Sequence, residues 1–401
     1  MPSPCLRHEA IFLLVFALDL VNMFIATVAY PALAAELHTE VGLLAWVGTA
    51  YMLGLSVVIP LAPWLAARCG ERRLLLVALL LFALAAALAG AAPGIGWLLG
   101  WRLLQWLSWR GVLWASLPLA LAAMGLVLAW MPADGERTTP RLQAYALATA
   151  MSALGVLLLA LTWLGEPGHR SAGAVLLLLA LALATAHLHH ARRQAQPLLR
   201  WSLLSHRGLR LAMLVYLAVP GVFIGSQLAS TLQLHQAGYS AARIGALMLP
   251  WALASALAIT GSRRLLARVG PAAVLRGGML LQASGLLLMA LLPQPSFALA
   301  AVLFALMGAG GSLCSSTAQT LAFHGVDAEA LGDASALWNL NRQLSFCLGT
   351  AAIALLLALA MQWLPAGAAA VALGLAAVLT LLPMVLLCRS QPLLLPQPEN
   401  A

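Results

Sequence analysis

Twelve apolar stretches, each bounded by charged residues, proline or glycine, follow one another along the chain and predict twelve membrane-spanning helices. Each span is expected to be an α-helix, because a helix satisfies its own backbone hydrogen bonds in lipid whereas strands need a closed barrel. The pattern therefore predicts an all-α polytopic membrane protein built as a helical bundle. The predicted spans lie at 11–33, 43–66, 73–92, 111–131, 143–164, 172–188, 208–234, 242–261, 273–292, 297–322, 334–361 and 366–388.

The composition leaves no room for a large domain outside the membrane. Of the 401 residues 63% are apolar and 8% are charged, whereas about 25% of residues are charged in soluble domains. The polar remainder of about 150 residues suffices only for short loops between spans of about 20 residues. This excludes a receptor kinase, an ATP-driven pump with its own nucleotide-binding domain and a membrane-anchored enzyme head. We expect no enzymatic activity, no cofactor and no metal.

The basic residues predict the orientation of the chain. The net charge of +9 comes from 21 arginines, with no lysine, against 12 acids. If the amino terminus is cytoplasmic, 16 arginines lie in cytoplasmic loops and tails and only Arg170 and Arg243 lie on the opposite side. We therefore expect an integral protein of the plasma membrane, in bacteria the inner membrane, with both termini cytoplasmic. Its first partner is the lipid bilayer, and no nucleic acid is expected.

The longest cytoplasmic segment, 187–210, carries five arginines and four histidines. His187, His189 and His190 leave open a metal site, but a basic linker against the anionic leaflet is the favoured interpretation. The five cysteines have no C-x-x-C spacing, which argues against a zinc site or a disulfide framework.

An internal repeat at an offset of 200 residues divides the chain into unequal parts. The segment LAARCG at 65–70 returns as LLARVG at 265–270, in each case after the second span of its half. The second half holds six predicted spans and the first only four, a difference of about 60 residues, or two spans with their loops. We expect a truncated first half at 1–131, a two-span insert with a basic linker at 132–206, a six-span half at 207–388 and a cytoplasmic tail at 389–401.

The missing spans are placed between Pro93 and Pro132, where nearly 40 residues carry no turn signal. The first part of this segment, 95–110, interleaves four tryptophans with Arg102 and Arg110. Because tryptophan and arginine favour the membrane interface, we expect a tilted interfacial helix there, followed by a span from Gly111.

Six motifs in order resemble those of the Major Facilitator Superfamily, in particular its fourteen-span drug/proton antiporter branch, the EmrB/QacA type. The resemblance covers nearly the whole chain. The motifs are VAYPAL at 28–33, WVGTAYML at 46–53, RCGERR at 68–73, GWRLLQ at 100–105, SWR at 108–110 with Leu117-Pro118, and NLNRQL at 339–344.

The chain also departs from that family. The acid of the loop signature is replaced by Ala67, and Glu71 stands at a basic position. After Gln105 the family continues through the rest of its fourth span and a fifth span with an antiporter motif, whereas here Trp106 leads directly into SWR. The resemblance therefore places the gap at the same junction as the repeat does, and most of spans four and five is missing.

Two residues are candidates for proton coupling. Asp19 is the only acid in the middle of a predicted span, and a carboxylate in low dielectric can alternate between protonated and charged forms. The alternative for Asp19 is an acid near the inner mouth that is hydrogen-bonded to a neighbouring helix. Arg102 resembles the family arginine associated with coupling, and the alternative is that it snorkels at the interface.

The remaining candidates are polar residues in apolar spans and arginines at helix ends. Arg342 either holds a substrate anion or locks a cytoplasmic helix end, and each other polar side chain lines a cavity or bonds a neighbouring helix. Pro220 and Pro250 are expected to bend their helices. The cavity candidates are Asn22, Gln227, Gln233, Gln319, Trp338, Asn339, Asn341 and Arg342, and the gate-loop candidates are Arg68, Gly70, Arg72, Arg268 and Gly270.

The resemblance implies a secondary active transporter that exports small organic molecules or drugs against inward proton movement, by alternating access of two halves. Its implied partners are a small organic substrate, protons and a periplasmic adaptor protein. The alternative is a transport-inactive or scaffold-like homologue, because two helices of the first half are missing.

Overall fold

The computed structural model describes residues 62–90, 110–131, 144–194, 201–327 and 330–389. Regular secondary structure in these ranges is helical throughout, which confirms the all-α prediction. The first predicted span, most of the second, the interfacial helix at 95–110 and the tail after Arg389 lie outside the described residues.

Eleven α-helices are described, and two 3-10 turns, at Trp201–Ser205 and Pro365–Gly367, accompany them. Helix α6 contains a π-helical turn, Leu217–Gly221, and α8 bends at Gly270 into α8a, 248–269, and α8b, 271–291. The helices are α1 Ala62–Cys69, α2 Glu71–Gly90, α3 Arg110–Trp130, α4 Ala144–Gly165, α5 Arg170–Arg193, α6 Arg207–Gln236, α7 Ala241–Ala246, α8 Met248–Leu291, α9 Phe297–Phe323, α10 Leu331–Trp363 and α11 Ala368–Arg389.

Seven of the described helices, α4, α5, α6, α8, α9, α10 and α11, are long and apolar enough to cross a membrane. One of these, α8, supplies two of the predicted spans because of its bend. From 73–92 onward each predicted span has a helical counterpart to within a few residues, except that 242–261 corresponds to α8a at 248–269. The chain is therefore an integral membrane protein.

Two predicted cytoplasmic loops are wrong in detail. The segments 67–73 and 261–268 are helical apart from Gly70, because α1 continues to Cys69 and α8a continues to 269. Leucine, alanine and arginine are good helix formers, and arginine side chains are long enough to reach the headgroups, so helices continue past the hydrocarbon layer. The sequence pattern therefore did not show where these two helices end.

The repeat at an offset of 200 is visible in the backbone. Gly70 separates α1 from α2 with φ 92°, and Gly270 separates α8a from α8b with φ 76°. Positive φ is readily adopted by glycine alone, so each repeat turns at its glycine. A single residue therefore connects two long helices in both places.

The contacts divide the chain into two compact units, Met1–Ala144 and Tyr145–Ala401. In the first unit α2 packs on α3 through buried apolar side chains that include Leu79 and Val127. In the second unit α6, α8, α9, α10 and α11 enclose a core of apolar side chains, among which Phe304, Leu234 and Leu286 are almost fully buried.

Helices α4 and α5 form a hairpin that belongs to the second unit. Within the hairpin the Thr149 hydroxyl lies 3.2 Å from Nδ1 of His187. At the other end, Gln362 of α10 donates from Nε2 to the Gly165 carbonyl at 2.9 Å, and Arg170 donates to the Gln362 side-chain oxygen. The hairpin is thereby attached to the carboxyl end of α10.

Candidate functional site

Helices α6 and α10 approach each other closely in the interior of the second unit. A Cβ atom placed on Gly221 would lie 2.5 Å from the Ser345 carbonyl oxygen, and one on Gly225 would overlap the backbone of Gly349. Only glycine permits this distance, and small residues are the usual means by which helices pack in lipid. The contact fixes the middle of α6 against the middle of α10.

A second close approach joins α9 to the two parts of α8. The Ser255 hydroxyl of α8a donates to the Gly308 carbonyl at 3.1 Å. On α8b, a Cβ atom on Gly278 would lie 2.8 Å from the Gly310 carbonyl oxygen. The six spans form two groups of three in chain order, α6, α8a and α8b followed by α9, α10 and α11. The first helix of each group contacts the second helix of the other group, α6 with α10 and α9 with α8a. This arrangement is expected of inverted repeats within one half of a transporter.

Helix α6 is irregular at its centre, as the sequence predicts from Pro220. The π-helical turn at Leu217–Gly221 contains this proline, which has no N–H to donate. The side-chain amide of Gln282, which is fully buried on α8b, donates to the Val219 carbonyl at 2.8 Å. The Thr380 hydroxyl lies 3.4 Å from the same nitrogen.

Sequence reasoning missed Gln282, although a signal for it exists. It is the only amide side chain in the predicted span 273–292, which is otherwise apolar apart from Arg276 and Ser284. Its Oε1 atom is buried without a hydrogen-bond partner, and a Cβ atom at Gly311 would lie 2.7 Å from this oxygen. A lone amide in a span is a marker of an interhelix bond.

An aromatic cluster surrounds the predicted cavity residue Trp338, which is 3% exposed. The Tyr216 ring of α6 meets the Trp338 ring edge-on at 5.1 Å between centroids, and Phe323 of α9 approaches it at 6.3 Å. Phe346, two turns along α10, lies 5.8 Å from Tyr216. These four side chains join α6, α9 and α10.

The polar residues of the NLNRQL segment lie next to this cluster on α10. Asn341 donates from Nδ2 to the Met213 carbonyl of α6 at 3.3 Å. Arg342 is half-buried, and so is Asn339. Since Arg342 is five residues before the midpoint of α10, it lies about 7–8 Å from that midpoint along the helix axis. The structure thus brings Trp338, Asn341 and Arg342 together.

The three predicted glutamines lie in different surroundings. Gln227 is buried in the middle of α6. Gln233 is buried near the end of α6 and donates from Nε2 to the Met289 and Leu292 carbonyls at 2.7 and 3.0 Å, at the last turn of α8b. Gln319 is exposed on α9. Gln233 therefore makes the interhelix bond that was the alternative to a cavity role.

The sequence predicts a bend at Pro250, but α8 does not bend there. Pro250 lies in the first turn of α8, where a backbone N–H has no intrahelical acceptor and proline is tolerated.

The gate-loop candidates of the first unit lie at the junction of α1 and α2. The Arg68 guanidinium lies 5.3 Å from the centroid of the Trp64 ring on the same helix. Arg72 donates from Nη2 to the Leu128 carbonyl in the last turn of α3 at 2.8 Å. Arg72 therefore links the start of α2 to the end of α3, and Gly70 supplies the turn between α1 and α2.

In the second unit Arg268 is exposed two residues before the bend at Gly270. Asp19, Asn22 and Arg102 lie outside the described residues. A cluster of three or more metal-ligating side chains does not occur in the part of the chain that the structure describes. His187, one member of the histidine group, is hydrogen-bonded to Thr149.

Comparison with known proteins identifies the family. The sequence profile of the Major Facilitator Superfamily matches residues 11–105 and 86–350. The chain is 24% identical to the multidrug resistance protein Stp of Mycobacterium tuberculosis over 90% of this chain and 77% of that protein, and 26% identical to its multidrug resistance protein B homolog over 88% and 76%.

Two further comparisons agree with this result. A shorter match, 32% identical over 25% of this chain and 21% of the relative, links the chain to the multidrug export protein EmrB of Haemophilus influenzae. The solved structure of the human organic anion transporter MFSD10 (TETRAN) shares the fold with a TM-score of 0.63 at 15% identity, covering 96% of this chain and 100% of that one. The motifs, the helical bundle and the profile match agree: the chain belongs to the Major Facilitator Superfamily, with relatives in its EmrB-type multidrug branch.

Proposed function

We propose that the protein is a secondary active transporter that exports small organic molecules, including drugs, in exchange for protons. The observation that carries the proposal is the alignment with two multidrug resistance proteins over about three quarters of their lengths. The transported substrate class is taken from the names of these relatives. The fold is that of a family of membrane transporters, and the substrate of such a transporter is a small molecule.

Alternating access is the mechanism that the second unit supports best. Close contacts at Gly225 and Gly278 pack the helices of this unit tightly, as alternating access requires of a unit that moves as a whole. The π-helical turn of α6 at Pro220 and the half-buried Arg342 on α10 give this unit an irregular, polar region near its middle. Substrate sites of secondary transporters are formed at such interruptions near the bilayer midplane.

Proton coupling is assigned to Asp19, with Arg102 as a second candidate. The test is ethidium efflux in a host strain that lacks its own pumps, with and without a protonophore. Asp19→Asn is expected to abolish proton-driven efflux, because the amide cannot take up and release a proton. Glu166→Gln is the matched control, since Glu166 is exposed next to the hairpin turn and its loss is expected to leave efflux unchanged. Parental efflux in Asp19→Asn would exclude the coupling role.

A second candidate function is a homologue that keeps the fold but does not transport. The profile matches in two overlapping pieces, 11–105 and 86–350; the first ends near the junction where the sequence places the missing segment, and the second runs across it. The alignment with the Stp protein has 418 positions, whereas 90% of 401 residues is about 361, so about 57 positions of that protein have no counterpart here. This number supports the loss of about two spans and the 4+2+6 arrangement of the domains.

The efflux assay separates the two candidates. A transporter lowers cellular ethidium when expressed, and the effect disappears with the protonophore. An inactive homologue reaches the membrane in the same amount as an active transporter would, which a fluorescent carboxyl-terminal fusion measures. It does not lower the cellular level of any compound in a broad drug panel.

We further propose that the chain lies in the inner membrane with both termini cytoplasmic and that its outer end meets a periplasmic adaptor. The arginine distribution supports the orientation. Alkaline phosphatase fused after the α4–α5 turn, and separately after Arg389, tests it. Activity is expected only for the first fusion, and co-purification of an adaptor after crosslinking tests the partner.

A further inference from the structure

The chain contains a long segment without a single acidic residue. Between Glu166 and Asp327 lie 160 residues that include 11 arginines and neither aspartate nor glutamate. Most of these arginines stand at the ends of α5 and α8a and at the start of α6 and α8b, which the charge pattern places on the cytoplasmic side. This end of the second unit therefore carries an excess of positive charge, which the acids between the end of α9 and the first turn of α10, Asp327, Glu329 and Asp333, offset only in part.

Arg276 differs from the other arginines of this face. Arg263, Arg264 and Arg268 are exposed, whereas Arg276 is half-buried on α8b. Two of its three side-chain nitrogens, Nε and Nη2, are buried and have no hydrogen-bond partner. The third nitrogen, Nη1, is not among the buried atoms that lack a partner. A guanidinium group has only donors and no acceptor, so Nε and Nη2 require an acceptor from another group.

Arg276 lies near the amino-terminal end of α8b, next to the bend. It lies five residues after Pro271, the first residue of α8b, or about 7–8 Å along the helix. Side chains of a helix generally lean toward its amino terminus, which for Arg276 is the direction of the bend at Gly270. The amino-terminal end of a helix is also its positive end.

An anion with several oxygens, positioned at the level of the lipid headgroups, satisfies these conditions. A phosphate group accepts two parallel hydrogen bonds from a guanidinium, and Arg268, next to the bend, adds attraction from the preceding helix. Basic pockets between cytoplasmic helix ends bind the head groups of anionic lipids. We propose that Arg276 and the bend between α8a and α8b form a binding site for the phosphate of an anionic phospholipid of the cytoplasmic leaflet.

The test uses the purified, delipidated full-length protein in neutral detergent. Dioleoyl phosphatidylglycerol is titrated while thermal unfolding and lipid retention, by native mass spectrometry, are measured. Dioleoylglycerol has the same chains without the phosphate, and inorganic phosphate and glycerol 3-phosphate have the anion without the chains. We expect saturable stabilisation and a retained lipid with phosphatidylglycerol only.

Two variants that each remove one positive charge distinguish binding at this site from general electrostatic attraction between the lipid and the protein. Arg276→Gln is expected to weaken phosphatidylglycerol binding about tenfold or more, because hydrogen bonds to a charged group are lost where water is excluded. Arg264→Gln removes an exposed charge and is expected to weaken it less than about threefold. Equal effects of the two variants would overturn the proposal, and so would equal stabilisation by inorganic phosphate, which would indicate a soluble anion.

A measurement on the wild type alone covers the case that Arg276→Gln does not fold. Between about 0.1 and 1 M salt the Debye length falls from about 10 to 3 Å, which weakens attraction between exposed charges far more than an enclosed pair. We expect at least one phosphatidylglycerol molecule to remain bound throughout this range. Complete release at high salt would show that surface attraction alone accounts for binding.

Discussion

Two adjacent glycines of α8b permit a stringent test of the packing between α8b and α9. A Cβ atom on Gly278 would lie 2.6 Å from Cys314 Sγ and 2.8 Å from the Gly310 carbonyl oxygen, whereas a Cβ atom on Gly277 would meet nothing within 4 Å. We predict that Gly278→Ala destabilises the protein and that Gly277→Ala does not.

The magnitude follows from the difference between the two variants. Both replace glycine by alanine in the same helix, which stabilises a helix by about 0.5–1 kcal/mol, and this contribution cancels in the comparison. The contacts at Gly278 are short by about 0.6–1 Å relative to ordinary carbon contacts of about 3.5 Å, and the Gly310 oxygen belongs to the backbone and cannot rotate away. Overpacking of this size costs about 1–3 kcal/mol, which is the predicted difference in free energy of unfolding.

The assay uses Cys314, which is fully buried and donates to the Leu275 carbonyl. In a background with the other four cysteines replaced by alanine, a thiol-reactive dye labels the protein only when α9 separates from α8b. Labelling is followed during titration with a denaturing detergent, together with circular dichroism. The midpoint for Gly278→Ala is expected at lower denaturant than that for Gly277→Ala.

Equal midpoints for the two variants would refute the close packing between α8b and α9. A lower midpoint for Gly277→Ala than for Gly278→Ala would show that the opposite face of α8b is the packed one.

Two further predictions concern single hydrogen bonds. Gln282→Leu removes one of two donors to the Val219 carbonyl, which still accepts from the Val222 N–H, and is expected to lower the free energy of unfolding by about 0.5–1.5 kcal/mol, measured in the same titration. Gln362→Ala removes the bonds to the Gly165 carbonyl and to Arg170, and is expected to increase proteolytic cleavage in the loop between α4 and α5 while changing global unfolding by less than about 1 kcal/mol.

Each of these variants has a control on the same protein. Gln319→Leu is the control for Gln282→Leu, because it makes the same substitution at an exposed position. Gln236→Ala is the control for Gln362→Ala, because it makes the same substitution at another exposed position. If Gln319→Leu destabilises as much as Gln282→Leu, the bond to α6 is not the cause. Unchanged cleavage in Gln362→Ala would show that the hairpin does not depend on α10.

The spans could be predicted from sequence because the signal is one of length and polarity. A run such as 297–322 is apolar throughout, and the helix extends from Phe297 to Phe323. The helix ends near basic residues were less predictable, as α8a shows, because arginine marks the headgroup region without breaking a helix.

The neighbours of each side chain could not be predicted in the same way. Gln227, Gln233 and Gln319 have equivalent sequence surroundings, yet two are buried and one is exposed. In a soluble protein the alternation of polar and apolar positions shows which face of a helix is inward. In a membrane both faces are apolar, so this information is missing and only close-packed glycines indicate the inner face.

The single-residue turns at Gly70 and Gly270 explain how the first half tolerates its altered loop signature. The direction of each turn is set by one left-handed glycine and not by a charged pair, so the replacement of the family acid by Ala67 leaves the backbone requirement intact. The angle between the two helices at each turn therefore depends on the φ and ψ of a single residue. A residue with a Cβ atom at either position would oppose the positive φ, so the path of the chain between the two helices depends on the absence of a side chain at one residue.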